Sequence, residues 1–574
     1  MTTETGKTKT MMVQVMDANR RLIFSALDEI EGQKTLVWRN REMMRHVNLF
    51  AGAALLKEHE VTEMFAFYQP GEAATRHVIY LLPPTVAAVE ELIEYMMKIK
   101  NENSLNYVYF IPDDWFVARE RLKECASIYS KIEWVRALPL SWLSSPIDVI
   151  TLNLPDLHSR LLLNGDWTYL HKCARSLEQL SSWCGHPVPI YAKGKWAEQI
   201  LNMFGKIRSQ QENVAPPSVS TLSVGKIIMV DRWMDPVTPL LTQLTYSGLL
   251  AEVYDYQLNG KIIVPEADFE GKETNGDSGS KEIPLPDEVF DRVKHAHFNA
   301  FSNEISPVLK EIREDESHDR DKMSVAEIKQ LVKKLPAITY RKKLASQHMR
   351  LAEMLEGPFY DRFVDTFLVE KDIMLSDGEK GDKVNSHIED AIIEDRPLNE
   401  VLRLIALQSL CSGGLKSGVL QVYDRLILHT YGVVGMDKML KMRKIGMVKE
   451  RGATRMQCHD YGVPQWTSLK KSQRLLVDED DELSMTDLSA PYSGYVPLLV
   501  RSIEEGAAVN FAGWQSIIDE EKRVSSHGAI VIVIGGITAG EAACLKRMPF
   551  VSLIASSDIT NGNRFLDFIT NIVD

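Results

Sequence analysis

One aspartate occupies a position at which α/β enzymes often carry out chemistry. Asp231 directly follows the apolar run Lys226–Val230 (KIIMV), which predicts a short buried strand. The carboxyl end of a parallel strand is where such enzymes place nucleophiles and metal ligands. A phosphatase of the haloacid dehalogenase type requires a second aspartate two residues later, and this chain has Trp233 there. The alternative is structural: Asp231 accepts backbone N–H bonds in the turn and pairs with Arg232 or another buried base.

Two further groups of residues resemble ligand sites only partly. Gly535–Gly540 (GGITAG) follows an apolar run, but it lacks a Walker lysine and the glycine spacing of a dinucleotide fingerprint. We therefore expect a tight turn that lets a helix approach the sheet closely. The 6 cysteines include no C-x-x-C pair, and Cys173, Cys184 and His186 lack the fourth ligand and the short spacings of a zinc site. The sequence also contains none of the standard catalytic signatures, and we expect neither a metal nor a cofactor.

A third group is basic. It surrounds Pro336 and consists of Lys333, Lys334, Arg341, Lys342 and Lys343. Lysines at the end of a helix are favoured by the helix dipole, so a solvated helix end is one interpretation. The other is a docking point for an acidic partner helix.

Hydrophobic periodicity predicts the elements that position these groups. Thr85–Lys100 has apolar residues at helical spacing, and helices are also expected at 166–184 and 195–211. Short apolar runs indicate strands at Thr35–Trp38, Val61–Phe67, His77–Leu82, Tyr107–Ile111 and Ala529–Ile534. Strands that alternate with helices predict parallel sheets covered on both faces. We expect a small doubly wound domain over 20–145 and a second, discontinuous one built from 150–260 and 490–574.

The middle of the chain is predicted to be helical. Ser324–Glu327 is a capping-box pattern, and apolar residues at helical spacing follow it as far as Pro336. Because proline commonly ends a helix, we expect a second helix over about 338–356 and a hairpin between the two. The acidic segments 266–288 and 478–487 are predicted to be loops.

Composition and charge exclude several classes of function. The chain has 574 residues, of which 45% are hydrophobic and 25% charged, as in ordinary globular proteins. Its 66 basic and 79 acidic residues give a net charge of -13, which disfavours binding to nucleic acid or to an anionic bilayer. The longest uncharged apolar run, Gly528–Gly540, is shorter than the roughly 20 residues that cross a membrane. The N-terminus has no signal-peptide pattern, so we expect a cytoplasmic protein that reaches membranes only through partners.

The segment Val230–Asp255 (VDRWMDPVTPLLTQLTYSGLLAEVYD) resembles the signature of the SM family, the Sec- and Munc-like regulators of SNARE-driven membrane fusion. In that family a strand ends in Asp-Arg, Asp-x-x-Thr-Pro follows, and a helix opens with Leu-x-x-Gln-x-Thr-Tyr. The matching residues are Asp231, Arg232, Asp235, Thr238, Pro239, Gln243, Thr245 and Tyr246. Pro236 and Pro239 predict a rigid corner, and a helix from about Leu240 is expected to bury four leucines.

The resemblance extends over most of the chain. The segments 324–336, 398–432, 492–505 and 531–548 also match the family. Leu410–Lys416 and Tyr492–Tyr495 are most similar to the branch that supplies the SM subunit of the HOPS and CORVET tethering complexes.

The resemblance implies a fold class, α/β, in the form of a three-domain SM arch with two parallel-sheet α/β domains and one large helical domain. The first domain would span 20–145 and the second 146–255 plus 475–574. The helical domain would span 256–474 and carry the hairpin 324–356.

The resemblance also implies a function without enzymatic turnover and without a cofactor. The partners would be SNARE proteins, a helical-solenoid class C subunit and the other HOPS and CORVET subunits, at late endosomes and lysosomes or vacuoles. The SNARE-contacting residues would be Lys333, Lys334, Leu335, Arg341 and Lys342, and the solenoid-contacting residues Lys416, Tyr423 and Tyr431. Core packing is the alternative role of the two tyrosines. A scaffold that never binds SNAREs, or a hydrolase that uses Asp231, would be the alternative functions.

Overall fold

The computed structural model describes residues 4–69, 71, 73–99, 104–211, 222–254, 258–266, 269, 279–316, 325–375, 381–452, 466–477, 488–518 and 528–570. The chain forms two compact units. The first comprises Met1–Leu152, Arg175–Pro187 and Gln210–Ser223, and the second comprises Asn153–Ala174, Val188–Ser209 and Val224–Asp574. The division into three domains stays a prediction.

The first unit is built on a parallel sheet. Its strands are β1 (Lys34–Trp38), β2 (Val61–Ala66), β3 (His77–Leu82), β4 (Leu105–Phe110) and β5 (Ile132–Ala137). They pair in the order β2-β1-β3-β4-β5, and all four pairings are parallel. A short antiparallel hairpin follows, formed by β6 (Leu143–Ser145) and β7 (Val149–Thr151). The predicted parallel sheet is therefore confirmed.

Helices cover this sheet as the periodicity predicts. Val86–Lys98 begins after Thr85, whose side chain accepts a hydrogen bond from the N–H of Ala88. Its apolar face packs with the sheet in one core that includes Val89, Leu92 and Phe110. The helices of this part of the chain are Glu4–Asp28, Arg41–Asn48, Ala53–Glu58, Val86–Lys98, Phe116–Glu124 and Ala126–Tyr129. The helices predicted at 166–184 and 195–211 are Thr168–Trp183 and Lys195–Gln211.

The second unit contains a sheet that joins distant parts of the chain, and a separate two-stranded sheet, β10-β11. The described strands of the unit are β8 (Ile190–Lys193), β9 (Lys226–Asp231), β10 (Lys261–Pro265), β11 (Ser280–Pro284), β12 (Gln515–Ile517), β13 (Ala529–Ile534) and β14 (Val551–Ser556). The neighbours β8, β9, β13 and β14 are parallel, and β12 pairs antiparallel with β8. Because β9 pairs directly with β13, the prediction that the C-terminal strand joins the sheet of the second α/β region is confirmed.

Helices make up the rest of the second unit. Leu398–Cys411 is buried at every position from Val401 onwards, so it is the central helix of this part. The other described helices are Leu157–Ser159, Tyr246–Tyr254, Glu288–Val293, Phe301–Glu316, Val325–Glu356, Pro358–Leu375, Gly381–Ile393, Ser417–Lys444, Trp466–Ser472, Leu498–Ala508, Ala539–Lys546 and Gly562–Thr570. Among the described residues, no helix combines the length and apolar character needed to cross a membrane.

Two expectations about the helical region are wrong. Val325–Glu356, hereafter the long helix, is one continuous helix with Pro336 inside it rather than a hairpin. A proline removes one backbone hydrogen bond from a helix, and burial of Ile338, Leu351 and Leu355 on the following turns offsets that loss. The acidic segment 266–288 contains β11, which pairs antiparallel with β10, so this part is a strand and not a loop. The segment 478–487 lies outside the described residues.

Candidate functional site

The signature segment forms a buried corner at the carboxyl end of β9. The strand ends at Asp231, and short 3-10 turns follow at Arg232–Met234 and Thr238–Leu240. The next α-helix begins at Tyr246, so the prediction of a helix from about Leu240 is wrong. The four leucines expected on that helix, 241, 244, 249 and 250, are nevertheless buried. We call the segment Asp231–Tyr246 the corner.

An ion pair without solvent contact fastens the corner to the turn after β13. The Nη2 of Arg232 lies 2.6 Å from Oε2 of Glu541, and the side chains are 0% and 2% exposed. Arg232 also donates through Nε to the carbonyl of Gly536 and through Nη1 to the carbonyl of Asp235. Gly535 has a φ of +101°, and a Cβ there would lie 2.7 Å from Cβ of Arg232. The expected tight turn at Gly535–Gly540 is confirmed, and the carbonyl of Gly536 within it accepts a bond from a buried guanidinium.

Hydrogen bonds fix the shape of the corner itself. The carboxylate of Asp235 accepts bonds from the backbone N–H and the hydroxyl of Thr238 at 3.0 and 2.5 Å. The Thr238 hydroxyl is also 2.8 Å from the hydroxyl of Tyr495. The side-chain oxygen of Gln243 accepts a bond from the backbone N–H of Gly540 at 3.0 Å. These polar groups are paired inside the protein, which is the condition under which burial of polar groups is tolerated.

A second buried ion pair lies beside the corner. Arg403, on the central helix, donates through Nη1 to Glu252 at 2.8 Å and through Nε to the carbonyl of Leu240 at 3.1 Å. Glu370 accepts bonds from the backbone N–H and the hydroxyl of Thr242, both at 2.9 Å. Burial raises the pKa of Glu370 to about 7. Helix Pro358–Leu375 is thereby joined to the corner.

The last residue of the corner is hydrogen-bonded to the long helix. The hydroxyl of Tyr246 is 3.0 Å from Nδ1 of His348, and Nε2 of His348 is 2.9 Å from Oδ2 of Asp287. Asp287 in turn caps helix Glu288–Val293 by accepting bonds from two of its backbone N–H groups. This chain of contacts sets the position of the long helix relative to the corner.

Asp231 has the surroundings of a turn-forming carboxylate. It accepts a hydrogen bond from the backbone N–H of Trp196 at 3.0 Å, and burial raises its pKa to about 6. The rings of Trp196, Trp233 and Phe565 surround the nearby imidazole of His158, and burial lowers the pKa of His158 to about 3. Acceptance of backbone bonds by Asp231 is as predicted. The expected pairing with Arg232 is wrong, because Arg232 pairs with Glu541.

The long helix has one buried stripe and one exposed stripe. Ile338, Ala345, His348, Ala352 and Leu355 face the protein. A second stripe, about 110° around the helix from the buried one, exposes Leu335, Thr339, Lys342, Ser346 and Met349. We call these five residues the outward face. Its members from Leu335 to Met349 recur at alternating intervals of four and three, the spacing of a surface that contacts another helix along its length.

The predicted SNARE-contacting residues differ in their placement. Leu335 and Lys342 are exposed on the outward face. Arg341 points the other way and is only 22% exposed, because Glu288, Glu311 and Asp315 each form an ion pair with its guanidinium at 2.6–3.2 Å. Arg341 therefore stabilises helix packing, and the prediction that it is a steering charge is wrong. The side chains of Lys333 and Lys334 lie outside the described residues.

The predicted solenoid-contacting residues also separate. Lys416 is exposed just before helix Ser417–Lys444. Tyr423 is 0% exposed and donates a hydrogen bond to Gln408 at 3.0 Å, so the core-packing alternative applies and the prediction of a surface anchor is wrong. Tyr431 is half-buried, and its hydroxyl donates to the carbonyl of Arg396.

Sequence reasoning missed several exposed apolar residues. Tyr340 is 61% exposed on the long helix, and Val433 is 78% exposed on helix Ser417–Lys444. Gly432, with a φ of +64°, interrupts the helical conformation just before Val433. The spacing of Leu335 and Met349 on a helix would have indicated the outward face, but only if the helix had been predicted to continue through Pro336.

Comparison with known proteins places these features in a family. The model of the Sec1 family matches residues 34–568. The chain is 42% identical to vacuolar protein sorting-associated protein 33A of Caenorhabditis elegans, over 96% of this chain and 95% of the relative. It is 28% identical to the protein of the same name from Rattus norvegicus, over 96% of each chain.

Solved structures show the same fold. The SM protein Vps45 in complex with the Qa SNARE Tlg2 aligns with a TM-score of 0.65 at 18% identity, over 97% of each chain. The Unc18–syntaxin 1 complex of Monosiga brevicollis aligns with a TM-score of 0.65 at 14% identity, over 97% of this chain and 99% of that one. The α/β fold with a large helical part is thus the fold of SM proteins. The chain belongs to the Sec1 family of non-enzymatic proteins.

Proposed function

We propose that this chain binds SNARE proteins and regulates SNARE-driven membrane fusion during protein sorting to the vacuole or lysosome. The observation that carries the proposal is the 42% identity, over 96% of the chain, to a relative named for vacuolar protein sorting. The Sec1 family match supports the SNARE part, and the structural relatives include SM proteins in complex with SNAREs. We further propose that the chain acts as a subunit of a HOPS- or CORVET-like class C complex on late endosomal and lysosomal or vacuolar membranes.

The outward face of the long helix is the proposed SNARE-contacting surface. From Leu335 to Met349 it extends over 14 residue steps, or about 21 Å at 1.5 Å per residue, which is two heptads of a partner helix. Leu335 and Met349 offer apolar contacts, and Lys342 adds a positive charge between them. Such a surface fits an amphipathic helix with acidic residues on its flanks. Lys333 and Lys334 would extend the positive charge towards the start of the helix.

A rigid surface of this kind would accelerate SNARE assembly by templating. Isolated SNARE motifs are disordered, so assembly must overcome the cost of helix nucleation and the entropy of aligning two chains. A surface that holds two motifs in register has already met part of that cost, because it raises their effective concentration. Each factor of ten in rate requires only about 1.4 kcal/mol. The buried stripe and the bonds of Arg341 and His348 keep the long helix in place for this role.

Helix Ser417–Lys444 is the proposed docking element for the helical-solenoid subunit. Lys416 is exposed before its first turn, and Leu428 and Val433 are exposed along it. Tyr431, half-buried on the same helix, would lie at the edge of such a contact.

The proposal is tested by direct binding. The purified full chain would be titrated with fluorescent SNARE motifs of the late-endosomal set and with a plasma-membrane set as the comparison. Saturable binding that prefers the late-endosomal set, together with faster SNARE assembly when the chain is added, is the expected result. A folded chain that binds the solenoid subunit but no SNARE motif would instead be a scaffold, and the SNARE part of the proposal would be wrong.

A further inference from the structure

A small internal cavity lies beside the corner. Its volume is about 30 Å³, and its lining includes Glu252, Glu370, Arg403 and Asn563. These residues come from four helices: Tyr246–Tyr254, Pro358–Leu375, Leu398–Cys411 and Gly562–Thr570. The cavity therefore lies where the helical part of the second unit meets the segment that follows β9.

Two buried polar atoms on the cavity wall have no hydrogen-bond partner in the protein. One is Nη2 of Arg403, a donor on a side chain that is only 5% exposed, and the other is Oδ1 of Asn563, an acceptor. Arg403 uses its other donors on Glu252 and on the carbonyl of Leu240. Buried donors and acceptors left unpaired are rare in folded proteins because each loses its hydration without compensation.

Gly562, the residue before Asn563, is where the guanidinium of Arg403 approaches this helix. A Cβ on Gly562 would lie 2.7 Å from Nη2 of Arg403, so only glycine lets the guanidinium pass this point of the helix. The guanidinium thus lies against the first turn of helix Gly562–Thr570, on which Asn563 is the second residue. A single small molecule between them would satisfy both atoms if it both accepts and donates.

We propose that this cavity binds a structural water molecule that accepts a hydrogen bond from Nη2 of Arg403 and donates one to Oδ1 of Asn563. One water requires about 10–15 Å³ of cavity volume, measured as the space open to the centre of a water-sized sphere. The cavity therefore holds one or two waters and no organic ligand. Charge favours a neutral ligand as well. An anion would face the carboxylates of Glu252 and Glu370, and a cation would face the guanidinium of Arg403.

The bound water would cross-link the C-terminal helix to the central helix. Arg403 also holds the carbonyl of Leu240, and Glu370 holds the backbone N–H of Thr242. The water therefore completes a polar network that ties helix Gly562–Thr570 to the corner. This role concerns the architecture of the second unit and is independent of the proposed function.

A crystal structure of the full chain at about 2 Å or better is the direct test. The expected result is a density peak within about 3.2 Å of both atoms. An ordered Arg403 and an ordered Asn563 with no peak between them would overturn the proposal.

Substitution of Asn563 by leucine provides a second test, because the expected change in stability has opposite signs for a hydrated and for a dry cavity. If water bridges the pair, Asn563→Leu removes one partner and leaves Nη2 unpaired, so the equilibrium constant for unfolding rises about tenfold or more. If the cavity is dry, the leucine removes an unpaired acceptor and fills space, and stability is unchanged or higher, which contradicts the proposal. Asn303→Leu, at an exposed position in the first turn of helix Phe301–Glu316, is the control for the change in helix propensity.

Discussion

The corner and the outward face of the long helix belong to the same unit but have opposite properties. The signature residues of the corner are all buried, and their polar groups pair with the protein. The outward face has exposed side chains at helical spacing, among them Leu335 at 37% and Met349 at 39%. The residues that identify the family are therefore the ones that build the corner, and the proposed binding residues lie elsewhere.

Energetics explain why the recognisable pattern and the binding surface differ. A buried charge such as Arg232 requires a specific partner at a specific distance, because an unpaired charge in the interior is costly. This requirement leaves a fixed pattern of residue types in the sequence. An exposed face requires only complementarity to its partner, which many combinations of side chains provide. The corner is expected to control stability and the outward face to control binding.

Arg232→Met should have the largest effect on stability. The substitution leaves the carboxylate of Glu541 buried without its cation, and removal of one partner of a buried ion pair typically costs about 3–5 kcal/mol. Chemical denaturation followed by circular dichroism would measure the change.

The double variant Arg232→Met with Glu541→Gln is the matched control. It removes both charges and leaves an amide oxygen that accepts from the N–H of Thr538, as Glu541 does, so we expect much of the lost stability to return. A double variant as unstable as the sum of the two single variants would show that the pairing of these charges is not what Arg232 contributes.

The corner also shows how far the sequence alone determines the structure. The strand β13 (Ala529–Ile534) and the glycine turn after it were predicted correctly, because a fully apolar run and two successive glycines permit few alternatives. The ion-pair partner of Arg232 was not predicted. Glu541 is about 310 residues away, and many other carboxylates of the chain could have formed this pair.

Local rules failed where tertiary contacts outweigh them. Pro336 predicts the end of a helix, but burial of the turns that follow it stabilises a continuous one. Arg341 and Lys342 are adjacent and alike in sequence, yet a rotation of about 100° per residue turns one towards three carboxylates and the other outwards. Which of two neighbouring cations is exposed depends on the phase of the helix, and the phase is set by packing.

Glu370→Gln should change how stability depends on pH. The pKa of Glu370 is raised from 4.5 to about 7, so between these values the folded chain retains a proton that the unfolded chain has lost. This group therefore makes the protein less stable as pH rises through that window, by about 1.4 kcal/mol for each unit of pKa difference. Glutamine, like the protonated acid, still accepts from the N–H of Thr242. Each can also donate to the Thr242 hydroxyl, which then accepts a bond in place of the one it donates to the carboxylate.

Denaturation of both proteins at several pH values would measure this effect. We expect equal stability near pH 4.5 and a relative gain for the variant as the pH approaches 7. Asp231 and Asp558, each with a pKa raised to about 6 by burial, contribute in the same direction and remain in both proteins. If the free energy of unfolding of the variant and of the wild type changed with pH in parallel, the assignment of this pH dependence to Glu370 would be contradicted.

Substitutions on the outward face should reverse the pattern seen in the corner. Leu335→Ser with Met349→Ser removes exposed apolar contacts from one stripe of the helix, so we expect SNARE motifs to bind about tenfold more weakly, a loss of about 1.4 kcal/mol. The melting temperature should hardly change, because neither side chain is buried. Val509→Ser alters another exposed apolar residue, after helix Leu498–Ala508, and serves as the control. Equal affinity of the double variant and the control would remove the outward face from the proposal.

Reversal of the charges of Lys333 and Lys334 on the long helix should have the smallest effect on SNARE binding. Lys333→Glu with Lys334→Glu replaces two positive charges that are proposed to attract an acidic SNARE helix, so association should slow a few-fold at low salt. The difference should shrink as ionic strength rises, because salt screens interactions between exposed charges beyond about 10 Å at 0.1 M. Stopped-flow measurement of SNARE assembly over a salt series would quantify the change in association rate, with the melting temperature unchanged.

Since Arg341 is held by three carboxylates, Arg341→Gln should instead lower stability and leave the salt dependence of SNARE assembly as it is. If Arg341→Gln and the lysine variant changed the salt dependence alike, the distinction between packing and steering charges on this helix would fail.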